Sequence, residues 1–173
     1  MTKDVLGIRR PLSVKQLAVL AMLAGLSVIL ERYLGINMPW LKVHFGYLPI
    51  AMAGMLFGVL PGVMVGVSAD ILSNLGTGFS WLFVSLAVIE AAIYAALLYA
   101  RKEGKKALLI QAAICQAAVS LFVYAGLNTW ALWTIGIPPN PVRLSMILIT
   151  YPIRVLTLYK MLEYRPVFEQ HAK

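Results

Sequence analysis

Residues 45–70 read FGYLPIAMAGMLFGVLPGVMVGVSAD, and how this run folds decides the architecture. It carries no Asp, Glu, Lys or Arg until Asp70. About 20 apolar residues suffice to cross roughly 30 Å of hydrocarbon, so one long helix would span a bilayer. Leu60-Pro61-Gly62 interrupts the run with the pair of residues that most strongly breaks helices. Two short helices are therefore the competing reading. The first choice makes a protein of five spans, the second a protein of six.

Charge placement separates the two. Residues 71–89 and 107–142 are also free of Asp, Glu, Lys and Arg. Basic residues gather in three clusters: Lys3, Arg9, Arg10 and Lys15; Arg101, Lys102, Lys105 and Lys106; and Lys160, Arg165 and Lys173. Cytoplasmic loops of membrane proteins carry the excess of Lys and Arg. Only an even number of spans places all three clusters on that side. The sequence thus predicts an all-α integral membrane bundle of six transmembrane helices, one membrane domain over 1–173, with both termini cytoplasmic. The helices fall at about 12–30, 48–58, 61–73, 80–100, 107–133 and 142–162, with an outer loop at 31–47.

Composition agrees with a lipid solvent. The 173 residues are 61% hydrophobic and only 13% charged, against about a quarter charged in soluble domains. The net charge of +8 does not indicate nucleic acid, because the basic residues flank apolar segments instead of forming one stripe. The basic N-terminus before residues 16–30 is similar to a signal peptide but lacks a clear small-residue cleavage site, so it reads as a retained first helix. Cys115 is the sole cysteine, which leaves no internal disulfide and no metal cluster.

Small residues at four-residue spacing allow close backbone packing in a membrane. Gly54, Gly58, Gly62 and Gly66 show it, as do Ala87, Ala91 and Ala95, and the pair Ala21 and Gly25. Internal packing explains most of these. The first helix is the one expected to face a partner.

The six-span topology collects unusual residues on the outer side. Trp40, Trp81, Trp130 and Trp133 lie there with Tyr33, Phe45, Tyr47 and Phe79. An interfacial aromatic belt is one reading. No tryptophan falls on the other side, and that asymmetry favours a site for a flat ligand, held by ring stacking. Arg32, Lys42 and Arg143 would form a positive mouth, with arginine suited to carboxylates. Asp70 should face protein or a cavity, since a charge is costly in lipid. Glu90 and Arg154 lie within spans and form a natural pair. Residues 31–47 are long for a connection and suit either a lid over a site or a membrane-surface anchor through Trp40.

No Walker A, HExxH or GxSxG motif occurs, and there are two histidines, His44 and His171. Neither ATP hydrolysis by that route nor histidine-based catalysis is supplied. The reading is a binding protein without catalytic residues, cofactor or metal.

The chain resembles the S component, or substrate-binding subunit, of an energy-coupling factor (ECF) vitamin transporter, and within that group the folate-specific branch. The resemblance rests on Leu30-Glu31-Arg32, on the run 45–70, on Leu127-Asn128-Thr129-Trp130, and on Arg143 followed by Tyr151-Pro152-Ile153. The 76–81 connection and the 137–141 turn depart from that pattern. The resemblance implies high-affinity vitamin binding at a bacterial plasma membrane. It implies a separate transmembrane coupling subunit and two ATPase subunits as partners. Leu17, Ala21 and Gly25 would dock the coupling subunit. Arg32, Tyr47, Asp70, Phe79, Trp81, Asn128, Trp130, Trp133 and Arg143 would bind the vitamin. Riboflavin, pantothenate or thiamine are the alternatives to folate, and a small membrane enzyme or scaffold using Glu90 and Arg154 is the alternative of another class.

Overall fold

The structure is a computed structural model. It describes residues 12–38, 41–75, 81–100, 102–139 and 141–172, with backbone only at 36–38, 41–43, 143–144 and 171–172. Phe79 and Trp40 fall outside the described residues, as does the side chain of Arg143.

Helix α1 (Val14–Arg32) starts at a capping box: the Gln16 amide donates to Ser13 Oγ at 3.3 Å, and the Ser13 amide to Gln16 Oε1 at 3.1 Å. Two orphan amides of the first turn are satisfied reciprocally. Leu20, Leu23, Ala24, Ser27 and Glu31 are buried along one stripe. The opposite face is apolar as well, and Leu17, Met22 and Ile29 are exposed. A helix apolar all round belongs in lipid or in a core. A short antiparallel hairpin follows, β1 (Ile36–Met38) and β2 (Leu41–Val43), with Ile36 opposite Val43.

The run that decides the fold forms α2 (Tyr47–Phe57) and α3 (Val59–Asn74). The expected break at 60–62 lies two residues earlier, at Gly58, whose φ of 98° and ψ of −172° suit only glycine. Pro61 is the third residue of α3 and sits in its first turn, where a missing N–H costs nothing. The chain folds back at Gly58. A Cβ on Gly62 would lie 3.0 Å from Gly54 Cα, and one on Gly66 would lie 3.6 Å from Ile50 Cγ2. The pairs 54 with 62 and 50 with 66 are symmetric about residue 58, so the two helices run antiparallel in backbone contact. Helix α4 (Trp81–Leu98) closes on them, since a Cβ on Gly66 would lie 3.1 Å from Ala91 Cβ.

Helix α5 (Lys105–Thr134) is α-helical to Ala118, π-helical over Val119–Leu127 and α-helical again from Asn128. Helix α6 (Pro141–Glu163) carries Pro152 in its interior, and α7 (Arg165–Ala172) is a short terminal helix that sequence reading did not foresee. Among the described residues, four helical stretches are long and apolar enough to cross a membrane: Val14–Arg32, Trp81–Leu98, Lys105–Thr134 and Ser145–Glu163. Helices α2 and α3, of 11 and 16 residues, are too short to do so singly. The core joins Tyr47, Met55, Tyr94, Leu98, Cys115, Val119 and Leu158, all buried.

Arg165 ties one end of the bundle together. Arg165 donates Nη1 to the Leu98 carbonyl at 3.0 Å and Nη2 to the carbonyls of Tyr99 at 3.1 Å and Met55 at 3.2 Å, while Nε meets Glu169 Oε1 at 2.7 Å. These carbonyls are orphans at the ends of α2 and α4. Hydrogen bonds to a charged donor contribute about 1.5–3 kcal/mol, so Arg165→Met should cost about that much stability. A lowered unfolding temperature in detergent, with ligand affinity unchanged, is the expected result.

Candidate functional site

At the Arg32 end the helices part around a cavity of about 320 Å³, within the size range of small-molecule sites. Every helix from α1 to α6 contributes to its wall. Ser27 and Glu31 come from α1, Tyr47 and Ile50 from α2, and Gly66, Asp70 and Asn74 from α3. Phe83, Ala87 and Glu90 come from α4, Ser120, Tyr124 and Asn128 from α5, and Ile147, Thr150 and Arg154 from α6. Ionisable groups at this depth in an apolar bundle are costly, so their concentration on one cavity marks a functional site.

Two polar groups of side chains face the space. Near the rim, Ser73 Oγ donates to Glu31 Oε2 at 2.8 Å, Ser27 Oγ to the Gly46 carbonyl at 2.7 Å, and Asn74 Nδ2 to Asp70 Oδ1 at 3.1 Å. Deeper, Tyr124 OH donates to Glu90 Oε1 at 2.6 Å. The Arg154 guanidinium carbon sits 4.7 Å from the Tyr124 ring centre and 5.1 Å from that of Tyr47. Desolvated cation–π contacts of this kind contribute on the order of 2 kcal/mol. Tyr47 is fixed from three sides: its ring stacks on Tyr94 at 6.0 Å, its hydroxyl lies 2.6 Å from Thr157 Oγ1, and Arg154 covers its face. Arg154 is 6% exposed, and its Nε and Nη1 have no hydrogen-bond partner among the described residues. Leaving a buried donor unmatched costs about 1–3 kcal/mol.

The wall contributed by α5 depends on its π-helical segment. Ser120, Tyr124, Asn128 and Leu132 all line the cavity at a strict spacing of four. Four residues overshoot an α-helical turn by about 40°, so three such steps in an ordinary helix would swing the column by about 120°. The wider π turn over Val119–Leu127 cancels much of that drift.

Three of the residues expected from sequence to bind ligand, Tyr47, Asp70 and Asn128, line the cavity. Arg32 is exposed and does not: its Nη2 donates to the carbonyls of Ser73 at 3.2 Å and Leu75 at 3.3 Å, tying α1 to the end of α3. Trp81, Trp130 and Trp133 are 76%, 55% and 65% exposed and are not among the residues lining the cavity. Phe79 and the Arg143 side chain lie outside the described residues. Glu31, Glu90, Tyr124 and Arg154 were not among the expected contacts. The signal for Glu90 and Arg154 was present, since an ionisable residue inside a span is a functional candidate by default. Leu17 and Ala21 lie exposed on α1, and a Cβ on Gly25 would meet nothing within 4 Å, so this face is open.

A family model of the ECF transporter substrate-specific component matches residues 15–162. The chain belongs to this family. One relative, the folate transporter FolT of Clostridium novyi (strain NT), is 27% identical over 167 residues, covering 89% of this chain and 93% of the relative. Among solved structures, FolT bound with folic acid aligns with a TM-score of 0.75 at 22% identity, over 85% of this chain and 92% of that one. The S component of a bacterial ECF transporter aligns with a TM-score of 0.60 at 19% identity, over 88% and 95%. The two structures establish a shared fold. As a substrate-specific component, this chain is a membrane transport subunit, and the cavity walled by α1 to α6 is its candidate substrate site.

Proposed function

We propose that this S component binds folate in the cavity between α1 and α6 and delivers it as the vitamin-binding subunit of an ECF-type importer. The observation that carries the reading is the near full-length similarity to a folate transporter. The cavity chemistry fits a folate. Its walls hold aromatic faces from Tyr47, Phe83 and Tyr124, acceptors at Asp70 and Glu31, and an amide at Asn128. Flat, donor- and acceptor-rich rings suit such a lining. Arg32 stands at the rim, where it orders the ends of α1 and α3. Trp81, Trp130 and Trp133 suit an aromatic belt at the outer membrane interface. Titration of detergent-solubilised protein with folic acid and riboflavin tests the substrate. Tight riboflavin binding without folate binding sinks the folate assignment.

The reading includes six spans with both termini cytoplasmic, in a bacterial plasma membrane. Support comes from the antiparallel return of α2 and α3 at Gly58 together with the three basic clusters in the sequence, which an even number of spans assigns to one side. The short pair would span as a packed unit whose ends are satisfied by neighbours. A transmembrane coupling subunit and two ATPases complete the importer, and the open face of α1 at Leu17, Ala21 and Gly25 is the docking surface. Ala21→Trp should cut co-purification of the coupling subunit by tenfold or more, an energy of about 1.4 kcal/mol or above. Folate affinity should stay unchanged. Undiminished co-purification removes this face from the docking role.

A further inference from the structure

The guanidinium of Arg154 has two donor atoms with no protein partner among the described residues, is almost wholly buried, and lines the cavity. A buried donor that the protein itself leaves unmatched is poised for an acceptor on a ligand. We propose that Arg154 forms the inner subsite of the cavity and donates to the acceptor edge of a planar heteroaromatic ring, its carbonyl oxygen and ring nitrogens, rather than to a carboxylate. The proposal rests on the folate reading and deepens it: the pterin ring enters first, and the glutamate tail stays towards the rim.

Three features select the ring over the tail. Two aromatic faces lie against the arginine, Tyr47 at 5.1 Å and Tyr124 at 4.7 Å. A planar group inserted here extends a stack that already exists. Glu90 holds the Tyr124 hydroxyl at 2.6 Å and lines the same end of the cavity. Its carboxylate balances the arginine charge, so the dicarboxylate of a glutamate tail would bring uncompensated negative charge into an apolar bundle. A neutral ring with acceptors brings none. Finally, Arg154 lies mid-helix in α6, between Pro141 and Glu163, away from the helix end where hydrated carboxylates would keep contact with water.

Binding of three probes separates the possibilities: folic acid, pteroic acid, which keeps the ring and lacks the glutamate, and p-aminobenzoylglutamate, which lacks the ring. Two variants are compared with the parent protein. Arg154→Lys keeps the positive charge beside Glu90 and removes the guanidinium fork. The double variant Glu90→Gln with Arg154→Gln removes both charges together, so neither is left unpaired. Each variant should weaken folic acid and pteroic acid by the same factor, about 10- to 100-fold, and leave p-aminobenzoylglutamate unaffected. A larger loss for folic acid than for pteroic acid overturns the proposal, because Arg154 then reads the tail. Parental affinity for both ring ligands overturns it as well, as does failure of both variants to remain monodisperse, since the side chain is then a structural clamp alone. If the parent protein binds none of the three probes, the folate reading itself fails and the ring assignment falls with it.

Discussion

Replacing Gly54 by alanine is expected to destabilise the bundle by about 3 kcal/mol, the upper part of the usual range for overpacking. The reason is distance. A Cβ at this position would lie 2.8 Å from Ala95 Cβ and 2.9 Å from Ala95 Cα, closer than real carbon atoms approach. The obstacle is helix backbone and a methyl group with no rotamer to yield, so α2 and α4 must separate. Separation also disturbs α3, because Gly62 packs on Gly54 Cα. Gly54→Leu should leave no monodisperse protein in detergent. Gly25→Ala is the control: nothing lies within 4 Å of its added carbon, and alanine is favoured over glycine inside a helix by up to about 1 kcal/mol. An unfolding temperature for Gly54→Ala equal to that of Gly25→Ala would show that the helices are not in backbone contact there.

Ala87→Trp should abolish ligand binding, by on the order of 100-fold or more, or about 2.7 kcal/mol. Ala87 lies on α4 and faces the cavity. An indole there would occupy much of the roughly 320 Å³ and exclude a ring ligand. The indole would enter the cavity, so the helices need not separate to admit it. Ala96→Trp on the exposed side of the same helix is the matched control and should bind as the parent does. The titration that compares folic acid with riboflavin reads both variants. Parental affinity in Ala87→Trp would place the substrate site outside this cavity.

Apolar runs and their charged flanks made the helical architecture legible, since a lipid solvent leaves few alternatives for chains without charge over 25 residues or more. The turn between α2 and α3 was legible as an event but misplaced. Proline marks a break by its chemistry, yet in a first turn it is harmless, and Gly58 supplied the left-handed conformation instead. The site was read in part. Tyr47, Asp70 and Asn128 face the cavity. The tryptophans do not, because an exposed aromatic ring near a helix end satisfies lipid and headgroup as well as a ligand, and sequence position cannot distinguish the two. Arg32 and Glu31 are neighbours on one helix and differ by about 100° in direction. The buried stripe through Leu20, Ala24, Ser27 and Glu31 turns the acid inward and leaves the base outside. Arg154 had the opposite problem: its burial was visible, but only the structure shows which of its donors are already used.

The π-helical stretch of α5 carries a consequence for how this wall changes over evolutionary time. A column with a strict period of four exists only while the surplus residue of the wide turn is retained. Loss of one residue within Val119–Leu127 would let the segment relax to an ordinary helix and re-aim Asn128 and Leu132 while Ser120 stayed in place. Insertion or deletion can therefore retune substrate selectivity with no change in the identity of any lining side chain. An alignment of S components of differing selectivity should place its gaps inside this helix, where transmembrane segments normally tolerate none.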